Sequence, residues 1–299
     1  MVYKSTWDAK DWFAMLHGRS MQDERTGRAG VLGKYDGYLL LSDMDGTLLS
    51  PDGTISEGNR AAISSFVQGG GLFSVATGRT HYSAWTQIHD LPINCPAIIY
   101  NGGGVYDFQK QEFLQSHCFH RSEVENCLAD VMGMFSDITV MAFERDRIAI
   151  LSGGEWVDDL PEEEQPHFAK TGIADMRDDV FKLVFISAGL RLAELRFFLS
   201  THSMADKSDQ VLTSESCLEL LPKGISKGMA LEWLHRQLGI PVEKTIAIGD
   251  YENDAEMLRA AGISAAPANA HPDILALADI VVSHHGEDAV ADLIRIVFG

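Results

Sequence analysis

The sequence predicts an α/β chain built on a doubly wound parallel sheet with an inserted α+β unit. Three observations predict it. Short apolar runs alternate with helical stretches over 37–104 and again over 221–299, as a parallel sheet with helices on both faces requires. Between them, over 105–220, helices and strands stop alternating one to one. Four polar clusters fall directly after apolar runs, at the edge where open α/β sheets bind ligands.

The first strand is Tyr38–Ser42, apolar enough for burial on both faces. It ends in Asp43-Met-Asp-Gly-Thr-Leu-Leu49, and Pro51-Asp-Gly53 marks a turn. Ser56 is the N-cap of a helix with Ala62, Ile63, Phe66 and Val67 on one face, and Gly69-Gly-Gly71 stops it. Leu72–Ala76 is the second strand, ending in Thr77-Gly-Arg79. After a helical segment, Ala97–Tyr100 is the third, ending in Asn101-Gly-Gly-Gly104. In the inserted unit a helix near Ser122–Met134 carries Val124, Leu128, Val131 and Met132. Ile138–Phe143, Arg147–Leu151, Phe181–Ile186 and Cys217–Leu221 read as strands, Leu190–Leu199 as a helix and Glu155–Pro166 as an acidic loop. Alternation resumes after Pro222 with helix Lys227–Leu238, closed by Gly239, and buried strand Thr245–Ile248. Helix Asn253–Ala260, strands Ile263–Ala266 and Asp279–Val282, and helix Asp288–Phe298 follow. The expected organisation is a core of 37–104 and 221–299, an inserted unit at 105–220, and an extension at 1–36. Within that extension Thr6–Leu16 is able to form one amphipathic helix, to which no function is assigned.

At 299 residues, 45% of them hydrophobic, the chain is long enough for two domains with sizeable cores. It carries 43 acidic and 24 basic residues, for a net charge of −19. Such a surface repels nucleic acid and anionic membranes, and no run of Lys and Arg offsets it. A phosphorylated substrate is still compatible, because a bound divalent cation inverts the local field. Cys95, Cys118, Cys127 and Cys217 show no C-x-x-C spacing and read as reduced, mostly packed thiols. No run approaches the ~18 apolar residues of a membrane span, and no signal-peptide stretch opens the chain. A cytoplasmic location is expected. Oligomeric state is left open.

Asp43 and Asp45 repel each other just past a buried strand unless a cation lies near. Hard cations such as Mg²⁺ take one or two carboxylates, waters and phosphate oxygens. Gly46 lets the backbone turn so that N–H groups approach a phosphate. Alone, the pair reads equally as a surface turn. Thr77, between a strand and a helix, is either an anion contact or a plain N-cap. Lys227 opens a helix, where its charge is mildly unfavourable unless an anion is near. A solvated lysine is the other reading. Asp250 and the Asn253 oxygen are candidate cation contacts, with Asp254 holding Lys227 or a metal-bound water. A plain N-cap with first-turn acids leaves Asp250 unexplained.

In this order, DMDGTLL at 43–49, TGR at 77–79, SKG at 226–228 and GDYEND at 249–254 resemble the haloacid dehalogenase-like hydrolase superfamily. The insert is similar to the C2-type cap of its Cof-type phosphatase branch. Pro267-Ala-Asn-Ala270, Ala278-Asp279 and Glu287-Asp288 resemble that branch too, although Ala289 stands where it often has Gly. The resemblance covers about 37–299. It implies a Rossmann-like core with a cap over the site, and a Mg²⁺-dependent phosphatase acting on a small phosphorylated metabolite. Asp43 would be the nucleophile and Asp45 the acid–base, with Thr77 and Lys227 holding phosphoryl oxygens. Asp43, Asp45 (through its carbonyl), Asp250 and Asp254 would make the metal region. Gly46, Gly78, Arg79, Asn101, Gly102 and Asn253 would line the substrate. A phosphotransferase such as a phosphomutase, or a non-catalytic sensor, are the alternatives. Lys182, Arg145 and Arg147 are possible anion contacts of the cap but read first as surface charges. Trp85, Trp156 and Trp233 read as packing, and His284–His285 as unsuited to chelation, since adjacent side chains point apart.

Overall fold

A computed structural model describes residues 33–153 and 167–299. The Thr6–Leu16 helix, the 155–166 loop and Trp156 lie outside the described residues. The first half of the core holds β1 (Leu39–Ser42), α1 (Glu57–Gln68), β2 (Leu72–Val75), α2 (His81–Ile88), β3 (Ala97–Ile99), β4 (Gly104–Asp107) and β5 (Glu112–Ser116). Next come α3 (Arg121–Met134), β6 (Thr139–Glu144), β7 (Ile148–Ser152), β8 (Phe168–Lys170), β9 (Val180–Ile186), α4 (Gly189–Thr201), β10 (Ser208–Ser214) and β11 (Cys217–Pro222). The chain closes with α5 (Lys227–Leu238), β12 (Thr245–Ile248), α6 (Ala255–Ala260), β13 (Ile263–Pro267), α7 (Pro272–Leu277), β14 (Ile280–Val282) and α8 (Ala289–Phe298).

The core sheet is parallel, in the order β14-β13-β12-β1-β2. The strands β1, β2 and β12 are buried at every position because both faces are covered, and they are mostly apolar, with Ser42, Ser74 and Thr245 as the buried polar residues. Leu40, Phe73, Val75, Ile246 and Ile248 meet Ile63 and Phe66 of α1 and Val290 and Leu293 of α8. On the other face Leu39, Leu41 and Ala247 meet Leu231 and Leu234 of α5 and Met257 of α6. Side chains of one strand alternate between these layers, as the pleat dictates. Ser56 caps α1 as expected, accepting from the Asn59 N–H at 3.2 Å.

The third strand departs from expectation. β3 joins the parallel sheet by an isolated Ala76–Ile98 bridge rather than a ladder, and pairs antiparallel with β4, which pairs with β5. Tyr100, Asn101 and Gly102 all have positive φ and turn the chain straight back. Val105 and Leu114 of this hairpin pack into the core. The boundary expected at 104/105 falls within β4, which is hydrogen-bonded to β3, and that expected at 220/221 falls within β11.

The cap sheet runs β10-β11-β9-β6-β7-β8. Helices α3 and α4 cover one face through Val124, Leu128, Val131, Leu192, Leu195 and Leu199. The edge strands β8 and β10 escape the sequence pattern because neither is strongly buried. All four cysteines are free thiols, and burial pushes Cys118 and Cys127 up to about 12. Among the described residues no helix is long and apolar enough to cross a membrane.

Candidate active site

The site lies at the carboxyl edge of the core sheet, where β1 and β12 are central neighbours. β1 hands the chain to Asp43, whose N–H donates to the Ile248 carbonyl at 2.9 Å. Met44–Leu48 then forms a kinked helical turn with Gly46 at φ +78°. A Cβ at Gly46 would come within 2.4 Å of Asp250 Oδ2, so only glycine meets both the angle and the space. Thr47 Oγ1 donates to Asp250 Oδ1 at 2.9 Å and ties the two loops together.

Asp43, Asp250 and Asp254 converge, with one oxygen from each lying within 4.8 Å of the others. Lys227 enters from the first turn of α5, which Ser226 caps. Its Nζ donates to Asp43 Oδ1 and to Asp254 Oδ1, both at 2.6 Å. The lysine is fully buried, which removes the solvated reading. Asp254 Oδ2 accepts from the N–H groups of Asp250 and Tyr251 at 2.9 and 3.2 Å. Both its oxygens are thus engaged, in orienting Lys227 and the loop.

Burial pushes the Asp43 carboxyl well above the usual carboxylate range; Lys227 opposes the rise, while Asp254, Asp250 and Asp45 add to it. Burial, then Asp254, pushes Asp250 up to about 6, against the pull of Thr47 and Lys227. For Lys227 burial works downward, but Asp254 and Asp43 outweigh it and raise the ammonium above its ordinary value. Three carboxylates face one ammonium, so the pocket carries more negative charge than the protein balances.

The sequence model of the haloacid dehalogenase-like hydrolase family matches residues 40–294. The chain belongs to this family. It is 30% identical over 269 residues to the HMP-PP phosphatase of Serratia proteamaculans, an alignment covering 85% of this chain and 92% of that one. It is 28% identical over 270 residues to a chloroplastic endoribonuclease YBEY of Arabidopsis thaliana, covering 85% of this chain but only 45% of that protein's length. Among solved structures, a haloacid dehalogenase-like hydrolase from B. subtilis superposes with a TM-score of 0.75 at 26% identity, covering 86% of this chain and 99% of that one. The expected enzyme class, a hydrolase of the phosphatase type, is borne out.

Of the residues expected in a site of this hydrolase family, Asp45 stands apart. Its carboxylate is 59% exposed and accepts from Arg79, Nε to Oδ2 at 2.8 Å and Nη2 to Oδ1 at 2.7 Å. It is not among the clustered carboxylates, so any metal contact from Asp45 does not come from its side chain as placed here. Thr77 is buried, and its Oγ1 accepts from the Arg79 N–H at 3.1 Å. It does not cap α2; Thr80 does, accepting from Ser83 at 3.1 Å. Gly78 lies against the Asn101 amide. Gly102, at φ +98°, abuts the Ser226 carbonyl, where a Cβ would approach to 2.1 Å, so its backbone packs closely on the start of α5. Asn253 Nδ2 donates to Asn101 Oδ1 at 3.1 Å.

Of the cap cations, Arg145 pairs with Asp179 and Arg147 with Glu144, whereas Lys182 is buried on Glu219. Lys182 is therefore no surface charge. Trp85 stacks on Phe108 and Trp233 packs against the core, as expected of packing residues.

Two supports escaped the sequence reading. Asn269 Nδ2 donates to the Gly46 carbonyl at 2.8 Å, and Asn269 Oδ1 accepts from the His285 N–H at 2.9 Å. His285 Nδ1 reaches the Leu49 carbonyl at 2.7 Å. Both residues follow strand ends, β13 and β14, and that position was the available signal.

The donor set suits a divalent cation with oxygen ligands. Asp43 and Asp250 both titrate high, first because they are buried and next because the Asp254 carboxylate lies near, with Lys227 opposing the rise in each.

Proposed function

We propose that this hydrolase is a Mg²⁺-dependent phosphatase of a small phosphorylated metabolite, with Asp43 as the phosphoryl acceptor. The observation that carries the reading is Asp43 itself: a buried carboxylate at a strand end, with one oxygen held by Lys227. That hold leaves its other oxygen to attack phosphorus. Asp43 and Asp250 would hold the cation. The cation would neutralise charge on the phosphoryl oxygens.

A bond forms between the Asp43 oxygen and phosphorus as the bond to the leaving oxygen breaks. Asp45 gives that oxygen a proton. Asp45 then takes a proton from water, whose oxygen attacks the phosphorus of the aspartyl-phosphate. Inorganic phosphate leaves and Asp43 is restored. To serve in both steps Asp45 must turn from Arg79 toward the reacting oxygens. Lys227 and Thr77 would steady the phosphoryl oxygens, with the exchanged charge held in a water-poor pocket. Residues 105–220, the proposed cap, would exclude bulk water and favour small substrates. The phosphatase name of the Serratia relative supports the same reading.

The test is phosphate release from a panel of sugar phosphates, nucleotides and cofactor phosphates, with Mg²⁺ and with excess chelator. Release that requires Mg²⁺ and needs no acceptor sugar is expected. Transfer only in the presence of a second hydroxyl would replace the phosphatase with a phosphotransferase.

A further inference from the structure

The cap carries a second buried lysine that the chemistry above does not use. Lys182 of β9 donates to Glu219 Oε1 of β11 at 2.5 Å, and both side chains are at least 95% buried. Lys182 also lies over the Phe143 ring, 4.4 Å from its centroid. A pair serving only the cap would end there. Instead Glu219 Oε2 accepts from Asn101 Nδ2 of the core at 2.6 Å.

Asn101 sits in an unusual piece of backbone. Tyr100 and Asn101 are successive non-glycine residues at φ +52° and +54°. Asparagine tolerates this region; tyrosine adopts it only where its surroundings enforce it. Both side chains meet the cap. Tyr100 stacks on Phe181 at 4.2 Å with 12° between the rings, and its hydroxyl donates to the Arg145 carbonyl at 3.3 Å.

From Asn101 two short paths lead to the reacting groups. Its Oδ1 accepts from Asn253, the neighbour of Asp254, which holds Lys227. Its other neighbour, Gly102, abuts Ser226, the residue before Lys227.

We propose that Glu219, fixed by Lys182, is a positioning residue: by gripping the Asn101 amide from the cap it sets the core backbone on which Lys227 and Asp254 meet Asp43. The site is then fully ordered only when the cap is seated. The catalytic consequence rests on the phosphatase reading; the contact and its effect on backbone order do not.

Two variants of the full chain isolate the contact. Both Lys182→Met/Glu219→Leu and Lys182→Met/Glu219→Gln remove the buried charges, but only the second keeps an acceptor for Asn101. They are compared by p-nitrophenyl phosphate turnover with Mg²⁺ and by hydrogen exchange of segments 99–104 and 224–228. The leucine variant should lose roughly 10- to 100-fold in kcat with KM within about threefold, since small misplacements of reacting groups cost that much. Exchange in both segments should speed up. The glutamine variant should stay within about threefold of the parent in rate, with exchange unchanged. Variants that behave alike, in either direction, overturn the proposal. If the parent chain releases no phosphate, the phosphatase reading fails and the exchange difference alone decides. If the leucine variant does not fold, Asn101→Ser breaks the contact from the core side. Faster exchange at 224–228 in that variant is expected, and unchanged exchange overturns the proposal.

Discussion

The core and the cap each bury a lysine, and the two are balanced differently. In the cap Lys182 meets Glu219, one charge against one, with the spare carboxylate oxygen on a neutral amide. In the core Lys227 faces Asp43 and Asp254 directly, with Asp250 close by. A matched pair satisfies its own burial. A pocket with two carboxylates in excess needs something more, and the Asp43 and Asp250 carboxyls are raised first by burial and further by the neighbouring Asp254. Charge balance, rather than burial alone, separates the pair that positions from the cluster that reacts.

The comparison breaks most visibly at the nucleophile. Asp43→Asn should lower phosphate release by more than about 1,000-fold while the protein stays folded, as loss of a covalent nucleophile does. In kcat/KM, which reports the first transfer and not the later attack of water, Asp45→Asn should lose about 100- to 10,000-fold on alkyl phosphates and much less on aryl phosphates with good leaving groups, because only the former need the proton for departure. A steady-state comparison of the two substrate types checks this, and equal losses would deny Asp45 the acid role.

Next come the lysines. Lys182→Met alone strands Glu219 in the interior and should cost ~3–5 kcal/mol in denaturant unfolding, the range for an uncompensated buried charge. Lys227→Met strands two carboxylates, yet added Mg²⁺ should restore part of its loss, because a cation can take over there. No such recovery is expected at Lys182. Recovery at both sites, or at neither, would erase the distinction.

The smallest effect is on pH. Asp250 titrates near 6 in the folded protein against an ordinary 3.8, so the folded state binds the proton more tightly than the unfolded state. The metal-free protein should therefore lose stability as pH rises from about 4 to 6, and Mg²⁺ should remove that loss. Mg²⁺ should accordingly raise Tm more at pH 7.5 than at pH 5. A larger shift at pH 5 would contradict the assignment of Asp250 to the cation.

What the sequence made legible follows from distance along the chain. Asp43, Thr77 and Asp250 each stand one to two residues past a buried apolar strand, so pattern and position together mark them. The helices on both core faces are legible for the same reason. Glu219 was not, because it looks like an ordinary strand residue until Asn101, 118 positions earlier, is folded against it. Asn269 and His285 gain their meaning only from contacts to Gly46 and Leu49, more than 200 positions away. The β3–β4 hairpin was hidden because Asn101-Gly-Gly-Gly104 suits a loop as well as a tight reversal.

The most direct test of the account is to quench the protein in acid during turnover of p-nitrophenyl phosphate with Mg²⁺ and map the phosphoryl group by mass spectrometry. One phosphoryl group on the peptide that contains Asp43, absent in Asp43→Asn and absent when chelator replaces Mg²⁺, is the predicted result. Phosphate release with no trapped group on that peptide, or with the group on another residue, would contradict it.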